Sequence, residues 1–254
     1  MHRYFIEVTY MGTAYAGYQV QENANTVQAE VEKAFRIYFK SNISLTGSSR
    51  TDAGVHALQN FFHLDCDFTV PGQKIYNLNA LLPPDIAIRS IKEVTAAAHC
   101  RFDAQSREYK YYTYDKKNPF LSGRAYYFPY TTDKALLQDA AAVVKEYRDF
   151  SSFSKRNTQV KNFNCEIMES EWHTEGEALV YHVKANRFLR GMVRGLTGTM
   201  LQVGRGKINL QQFRDIIEAR DCTKADFSVP GHGLFLIKVN FPEKVWVKED
   251  TSGI

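Results

Sequence analysis

The chain has 254 residues, 44% hydrophobic and 24% charged, a composition that gives a soluble globular protein a sizeable core and excludes wholesale disorder or a fibrous repeat. The formal net charge is only +4, so the class of partner has to come from where the charge sits rather than from its total. No run approaches the roughly 18 apolar residues of a membrane span, and Glu7 and Thr9 break the apolar amino-terminal stretch, so a cytoplasmic protein without a membrane partner is expected. Cys66, Cys100, Cys165 and Cys222 form no CxxC pair, and His56 and His63 near Cys66 lack a metal-ligand spacing. Four reduced thiols and no metal are expected.

Residues 3–10 alternate as a strand, and a Gly-containing loop, MGTAYAGYQ, follows. A helix is predicted from Asn25, with Gln28 completing a capping box and Val27, Val31, Phe35 and Tyr38 at helical spacing. Strands around 43–50 and 60–66 flank a loop containing Asp52, Ala53 and Gly54. A helix over 73–82 stops at Pro83 and Pro84, and Ile86 to Val94 reads as a strand. The order then recurs: a strand from Arg107, and a helix after Asp133 with Leu136, Ala140, Val143 and Tyr147 on one face. Strands near 163–172 and 178–185, a helix over 187–203, a helix capped by Asn209 with Gln212, and a strand from Leu234 to Phe241 complete it. Two βαββαβ runs predict an α+β fold of two ferredoxin-like halves, 1–100 and 101–254, forming an extended antiparallel sheet flanked by helices. The tail, 248–254, is expected to fray.

Three features carry chemistry. From Lys184 to Lys207 there are six basic residues (Lys184, Arg187, Arg190, Arg194, Arg205, Lys207) and no acid. On the predicted helix Arg187, Arg190 and Arg194 share an arc of about 60°, opposite an apolar face. A solvated charged face is the plain reading. The interspersed Gly191, Gly195 and Gly198, which would let a polyanion backbone or another helix approach closely, favour phosphate contact. Next, Tyr109, Tyr111, Tyr112 and Tyr114 share one predicted strand with Arg107 and Lys110, and Tyr126, Tyr127 and Tyr130 follow. Tyrosines interleaved with cations stack bases while the cations hold phosphates, but tyrosine also simply suits strands, so one core face and one functional face are expected. Last, TGSSRTDAGVHA places Arg50 and Asp52 two apart, on one side of extended backbone. An arginine beside a carboxylate keeps it ionised and oriented, as a base or nucleophile requires, although such pairs are also common on surfaces.

At these residues the sequence resembles a known family. SRTDAGVHA resembles the aspartate motif of the tRNA pseudouridine synthase A (TruA) family. YMGTAYAGYQVQ, NALLPPDIAI, RFDAQSREYKYYTY, DFSSF, NRFLRGMVRGLTGTMLQVGRG and GHGLFLIKVNF match its other landmarks in order, from residue 3 to residue 241. The resemblance implies an isomerase that converts uridine to pseudouridine in the anticodon stem-loop of tRNA, at positions 38–40. It implies a homodimer that binds tRNA across both subunits, and no cofactor. It makes Asp52 the essential carboxylate, with Arg50 and Arg194 pairing with it or steering the substrate. It implies that Tyr109 packs against the target base and that Leu234 lines its pocket; the cationic face itself makes Arg187 and Arg190 candidate substrate-binding residues. Four departures stand out: Met11 where the family has Asp, Tyr18 where it has Trp, Ser49 where it has Gly, and KNFNCEI in place of an Arg-Thr-Ile segment. None touches Asp52. The alternatives are a non-catalytic RNA-binding paralog on the same scaffold and an aspartate-dependent hydrolase of a small anionic substrate.

Overall fold

The computed structural model describes residues 1–70, 72–156 and 160–247, and the tail expected to fray lies outside the described residues. The elements, in chain order, are β1 (His2–Tyr10), α1 (Val27–Phe39), β2 (Thr46–Gly47), β3 (His56–Cys66), α2 (Ile75–Asn79) and β4 (Ile86–Val94). β5 (Ser106–Tyr114), β6 (Tyr126–Tyr127), α3 (Lys134–Val144), β7 (Ile167–Glu175), β8 (Ala178–Ala185), α4 (Met192–Gly204), α5 (Leu210–Glu218) and β9 (Leu234–Asn240) follow. The fold is α+β. The chain divides into two compact units, the first being Met1–Ala53, Ala57–Gln105 and the described residues from Lys238 on, the second Gly54–His56 and Ser106–Ile237.

In the first unit β1 pairs antiparallel with both β3 and β4, and β2 pairs antiparallel with β3, so the strands lie in the order 4-1-3-2 of a ferredoxin-like βαββαβ unit. β1 buries both faces. Tyr4, Ile6, Val8 and Tyr10 point one way, and Phe5 points the other, against Phe61, Phe241 and Trp246 at ring distances of 6.4, 5.0 and 5.7 Å. That aromatic cluster is why residues 238–247 pack with the first unit, whereas the sequence reading placed all of 101–254 in the second half. α1 turns Val27, Val31, Ala34 and Phe35 inward. Its cap is Thr26, whose Oγ1 accepts from Ala29 N, and not the expected Asn25 with Gln28. Gln28 is buried instead, donating to Leu45 O and the Glu32 carboxylate, and so ties the helix to the strand entry. The helix predicted over 73–82 shortens to α2, because Asn79 turns its side chain to the backbone N–H and C=O of Ile88.

In the second unit β8 pairs antiparallel with β5 and with β7, and the Leu234–Ile237 part of β9 lies next to β5, repeating the 4-1-3-2 order. The short β6 is an addition, and it runs parallel to β5. α3 begins at Asp133, whose carboxylate caps Ala135 and Leu136, and α5 carries the predicted Asn209–Gln212 capping box. The inward face of α3 is Leu137, Ala140, Ala141, Val143 and Val144, so the expected stripe through Leu136 and Tyr147 is rotated by about one residue. No helix among the described residues is long and apolar enough to cross a membrane.

Candidate active site

In the first unit, Asp52 stands half-buried in a loop whose backbone is fastened on both sides. Asn60, fully buried on β3, donates from Nδ2 to Ser49 O at 2.8 Å and accepts from Ser49 N at 3.3 Å. It also donates to the Tyr10 hydroxyl, which lies 2.8 Å from Thr51 Oγ1. Tyr18 N donates to Thr51 O at 3.1 Å. Gly17 stands at φ +125°, where a Cβ would come within 3.0 Å of that same carbonyl, so only glycine fits this approach. Asn60, Tyr10 and Tyr18, with Gly17 permitting the approach, thus hold Ser49 and Thr51, two of the three positions before the carboxylate. Burial pushes the Tyr10 hydroxyl up to about 12, keeping it protonated and able to bond both partners.

Thr51 turns inward and is buried, whereas Arg50 beside it is exposed. Tyr18, one of the four departures, is buried against Phe62 with rings 4.5 Å apart, and its hydroxyl donates to Phe61 O at 2.7 Å. It fills the space over Gly47, where a Cβ would clash with its ring at 2.5 Å. Ser49, another departure, has its N–H and C=O both spent on Asn60, and Met11 N donates to Asp85 O.

The second unit gathers its site residues around the loop 227–234. Arg194 on α4 donates from Nε to Val229 O at 2.8 Å and through a terminal nitrogen to Phe227 O at 3.4 Å, which fixes the guanidinium plane. Tyr111 on β5 donates to Pro230 O at 2.8 Å, and its ring lies where a Cβ on Gly233 would stand. His56 Nε2 lies 3.0 Å from both Gly123 O and His232 O, so that nitrogen carries the proton and donates to both carbonyls. Burial lowers the His56 pKa, and the two carbonyls oppose that shift. Leu234, at the end of this loop, is buried, as is Tyr109, whose ring meets Phe188 edge-on at 5.0 Å.

β5 separates its tyrosines by face as the period of two requires. Tyr109 and Tyr111 lie on the buried face, paired with Val183 and Tyr181 of β8. Lys110 and Tyr112 lie on the other face and are both engaged by the Glu175 carboxylate. The helix expected over 187–203 starts only at Met192, because Gly191 takes φ +76° and ends the helical path there. Arg187 and Arg190 therefore belong to the preceding loop, half-buried and exposed respectively, and do not share a helix face with Arg194. The helix glycines also serve packing rather than an open approach: a Cβ on Gly195 would strike the Phe227 ring at 2.8 Å, and one on Gly198 the Asp226 carbonyl at 2.3 Å.

His63, His99 and Cys100 bring their ligand atoms within 4.8 Å of one another in the first unit. The Nδ1 of His63 accepts from Cys100 N and the Nδ1 of His99 from Arg101 N, so each ring is a neutral imidazole with its lone pair already used. This donor set is a hydrogen-bonded cluster and does not fit a metal without turning both rings.

A profile described as tRNA pseudouridine synthase matches residues 6–103 and 147–242. The chain belongs to the tRNA pseudouridine synthase family. It is 45% identical over 253 residues to a tRNA pseudouridine synthase A of Parabacteroides distasonis, covering 98% of this chain and 100% of the relative. It is 42% identical to the protein of that name from Bacteroides thetaiotaomicron, covering 100% and 96%, and 37% identical to that of Bacillus subtilis, covering 92% and 97%. As a member of the tRNA pseudouridine synthase family the chain is an isomerase acting on tRNA.

Sequence reasoning missed three of the synthase's positioning residues. Asn60 and Tyr10 hold the Asp52 loop from strands, and their pattern is indistinguishable from core. His56 lay in plain sight inside the aspartate motif, but only its two carbonyl partners, 67 and 176 residues away, reveal what it holds.

Proposed function

We propose that the synthase converts uridine to pseudouridine in the anticodon stem-loop of tRNA, at positions 38–40, with Asp52 as its essential carboxylate. The observation that carries this reading is the fastening of the Asp52 loop: Tyr10, Gly17, Tyr18 and Asn60 hold Ser49 and Thr51, so the carboxylate is presented from a rigid backbone. Isomerisation breaks the N1–C1′ bond, turns the base and rejoins it through C5, with no redox change and no net hydrolysis. The chain must therefore supply a carboxylate near sugar and base, a surface for the detached ring, and shelter from water.

In this reading Asp52 supplies the carboxylate, Tyr109 packs on the base and Leu234 lines its pocket. Arg194, its guanidinium fixed by two carbonyls, orients the carboxylate or the extruded nucleotide, and Arg50 steers the substrate from an exposed position. Arg187 and Arg190 bind backbone phosphates. The synthase works in the cytoplasm as a homodimer, and its two ferredoxin-like units are a duplicated pair. The test is incubation with unmodified tRNA followed by chemical mapping of pseudouridine. Product at 38, 39 or 40 supports the reading. Binding without product identifies the non-catalytic RNA-binding alternative, and product elsewhere in the tRNA overturns the site assignment.

A further inference from the structure

In the second unit a cavity of about 430 Å³ opens among residues to which neither the carboxylate chemistry nor the arginine-rich segment gives a role. Ser151, Ser154, Lys155, Arg156, Arg220 and Asp221 line it. Of the three serines in the run Ser151–Ser152–Phe153–Ser154, two have spent their hydroxyls. Ser151 Oγ donates to the Asp149 carboxylate at 2.6 Å, and Ser152 Oγ accepts from Asp221 N at 2.9 Å. Ser154 is only 4% exposed, yet its Oγ has no hydrogen-bond partner among the described residues. A buried hydroxyl without a partner is costly, and each such group calls for an explanation.

The charges around it are unequal. Among the described residues Lys155, Arg156, Arg220 and Asp221 line the cavity; Arg220 Nε lies 3.1 Å from the Asp149 carboxylate, and Asp221 already accepts from the backbone and hydroxyl of Thr223, so Lys155 and Arg156 carry the charge not drawn into the Arg220–Asp149 pair. A neutral pocket would need only water, whereas Lys155 and Arg156 beside an unspent donor select an anion. Lys155 is held in place. Its N–H donates to Arg190 O at 3.0 Å, and its methylenes lie against Gly191, where a Cβ would stand 3.0 Å from Cγ. The cavity thus adjoins Arg190 and extends the cationic surface beyond the acid-free run.

We propose that this cavity binds a phosphate group, with the Ser154 hydroxyl turning to donate to a phosphate oxygen and Lys155 and Arg156 balancing its charge. Only the source of the phosphate, the tRNA backbone rather than a free phosphate, rests on the tRNA reading above. Two titrations test the site in the intact protein. Unmodified tRNA is titrated across a salt series, and inorganic phosphate is followed by its phosphorus resonance, each with wild type, Ser154→Ala and the double variant Lys155→Ala/Arg156→Ala.

The double variant is expected to lower the slope of log affinity against log salt by about 1, as loss of one phosphate contact does. Ser154→Ala is expected to weaken binding several-fold at unchanged slope, because a neutral hydroxyl releases no counterion. Its melting temperature should stay at or above that of wild type, since no partner of Ser154 is lost. Weaker tRNA binding identifies the backbone as the source. Unchanged tRNA binding with loss of inorganic phosphate binding identifies a free phosphate. Both variants matching wild type in both titrations overturns the site. Pseudouridine formation by the wild type on the same tRNA is scored separately, so failure of the enzyme reading and failure of the cavity are distinguishable.

Discussion

The Tyr10 hydroxyl lies 2.8 Å from the Oγ1 of Thr51, the residue immediately before Asp52, and both groups are buried. A strand residue far from the loop in sequence thereby sets where the carboxylate stands. Tyr10→Phe removes this bond and the one from Asn60 Nδ2 while keeping the ring. The expected loss of stability is about 1–2 kcal/mol, measured by urea unfolding, because two buried groups lose a partner. The catalytic expectation is a fall in kcat larger than any rise in KM. A change in KM alone would show that the loop's position does not govern the chemistry.

Asp52→Ala is expected to bring pseudouridine formation below detection while tRNA affinity stays within about threefold of wild type, a change under about 1 kcal/mol. Gel-shift titration and a tritium-release assay read the two quantities separately. A variant that still forms product would end the assignment of Asp52 as the essential carboxylate.

Tyr109 meets Phe188 edge-on from the buried face of β5. Tyr109→Phe preserves the ring and should retain most activity, whereas Tyr109→Ala should lose it, with about 1–3 kcal/mol of stacking energy removed. Equal loss in both variants, seen in single-turnover kinetics, would assign the phenolic proton a part in the reaction.

Arg194 donates to two carbonyls of one loop, Val229 O and Phe227 O, in a geometry that lysine does not reproduce. Arg194→Lys keeps the charge and is expected to lower kcat/KM by about tenfold or more, roughly 1.4 kcal/mol, with the salt dependence of tRNA binding little changed. An unaltered kcat/KM would reduce the role of Arg194 to its charge.

Burial pushes the His63 imidazole down to about 4, and the neighbouring His99 and Arg3 add to the shift. The folded protein refuses a proton that the unfolded chain accepts below about pH 6.5, so this contribution to stability is intact at neutral pH. It is lost as pH falls from about 6.5 to about 4, by an amount of the order of 2–3 kcal/mol. Denaturant unfolding of wild type and His63→Gln across this range should show the two curves converging as pH drops. Parallel curves would place the acid sensitivity elsewhere.

Much of this protein is legible in its sequence alone. Local signals decided β4, the Asp133 cap of α3 and the Asn209–Gln212 box of α5, because caps and strand periods are set by residues a few positions apart. The aspartate motif, too, is read directly, since Asp52 and its neighbours are contiguous. Tertiary structure decided what depends on distant partners. Gly191 ends the helix that apolar periodicity carried back to Arg187, and the glycines after it serve Phe227 and Asp226 instead of a polyanion. Phe241 and Trp246 return to the first unit because Phe5 and Phe61 leave an apolar face there to cover. The hold of Tyr10, Tyr18 and Asn60 on the Asp52 loop follows the same logic. The motif that carries the family resemblance is contiguous, but the fastening of the loop around Asp52 comes from hydrogen bonds between residues that only folding brings together.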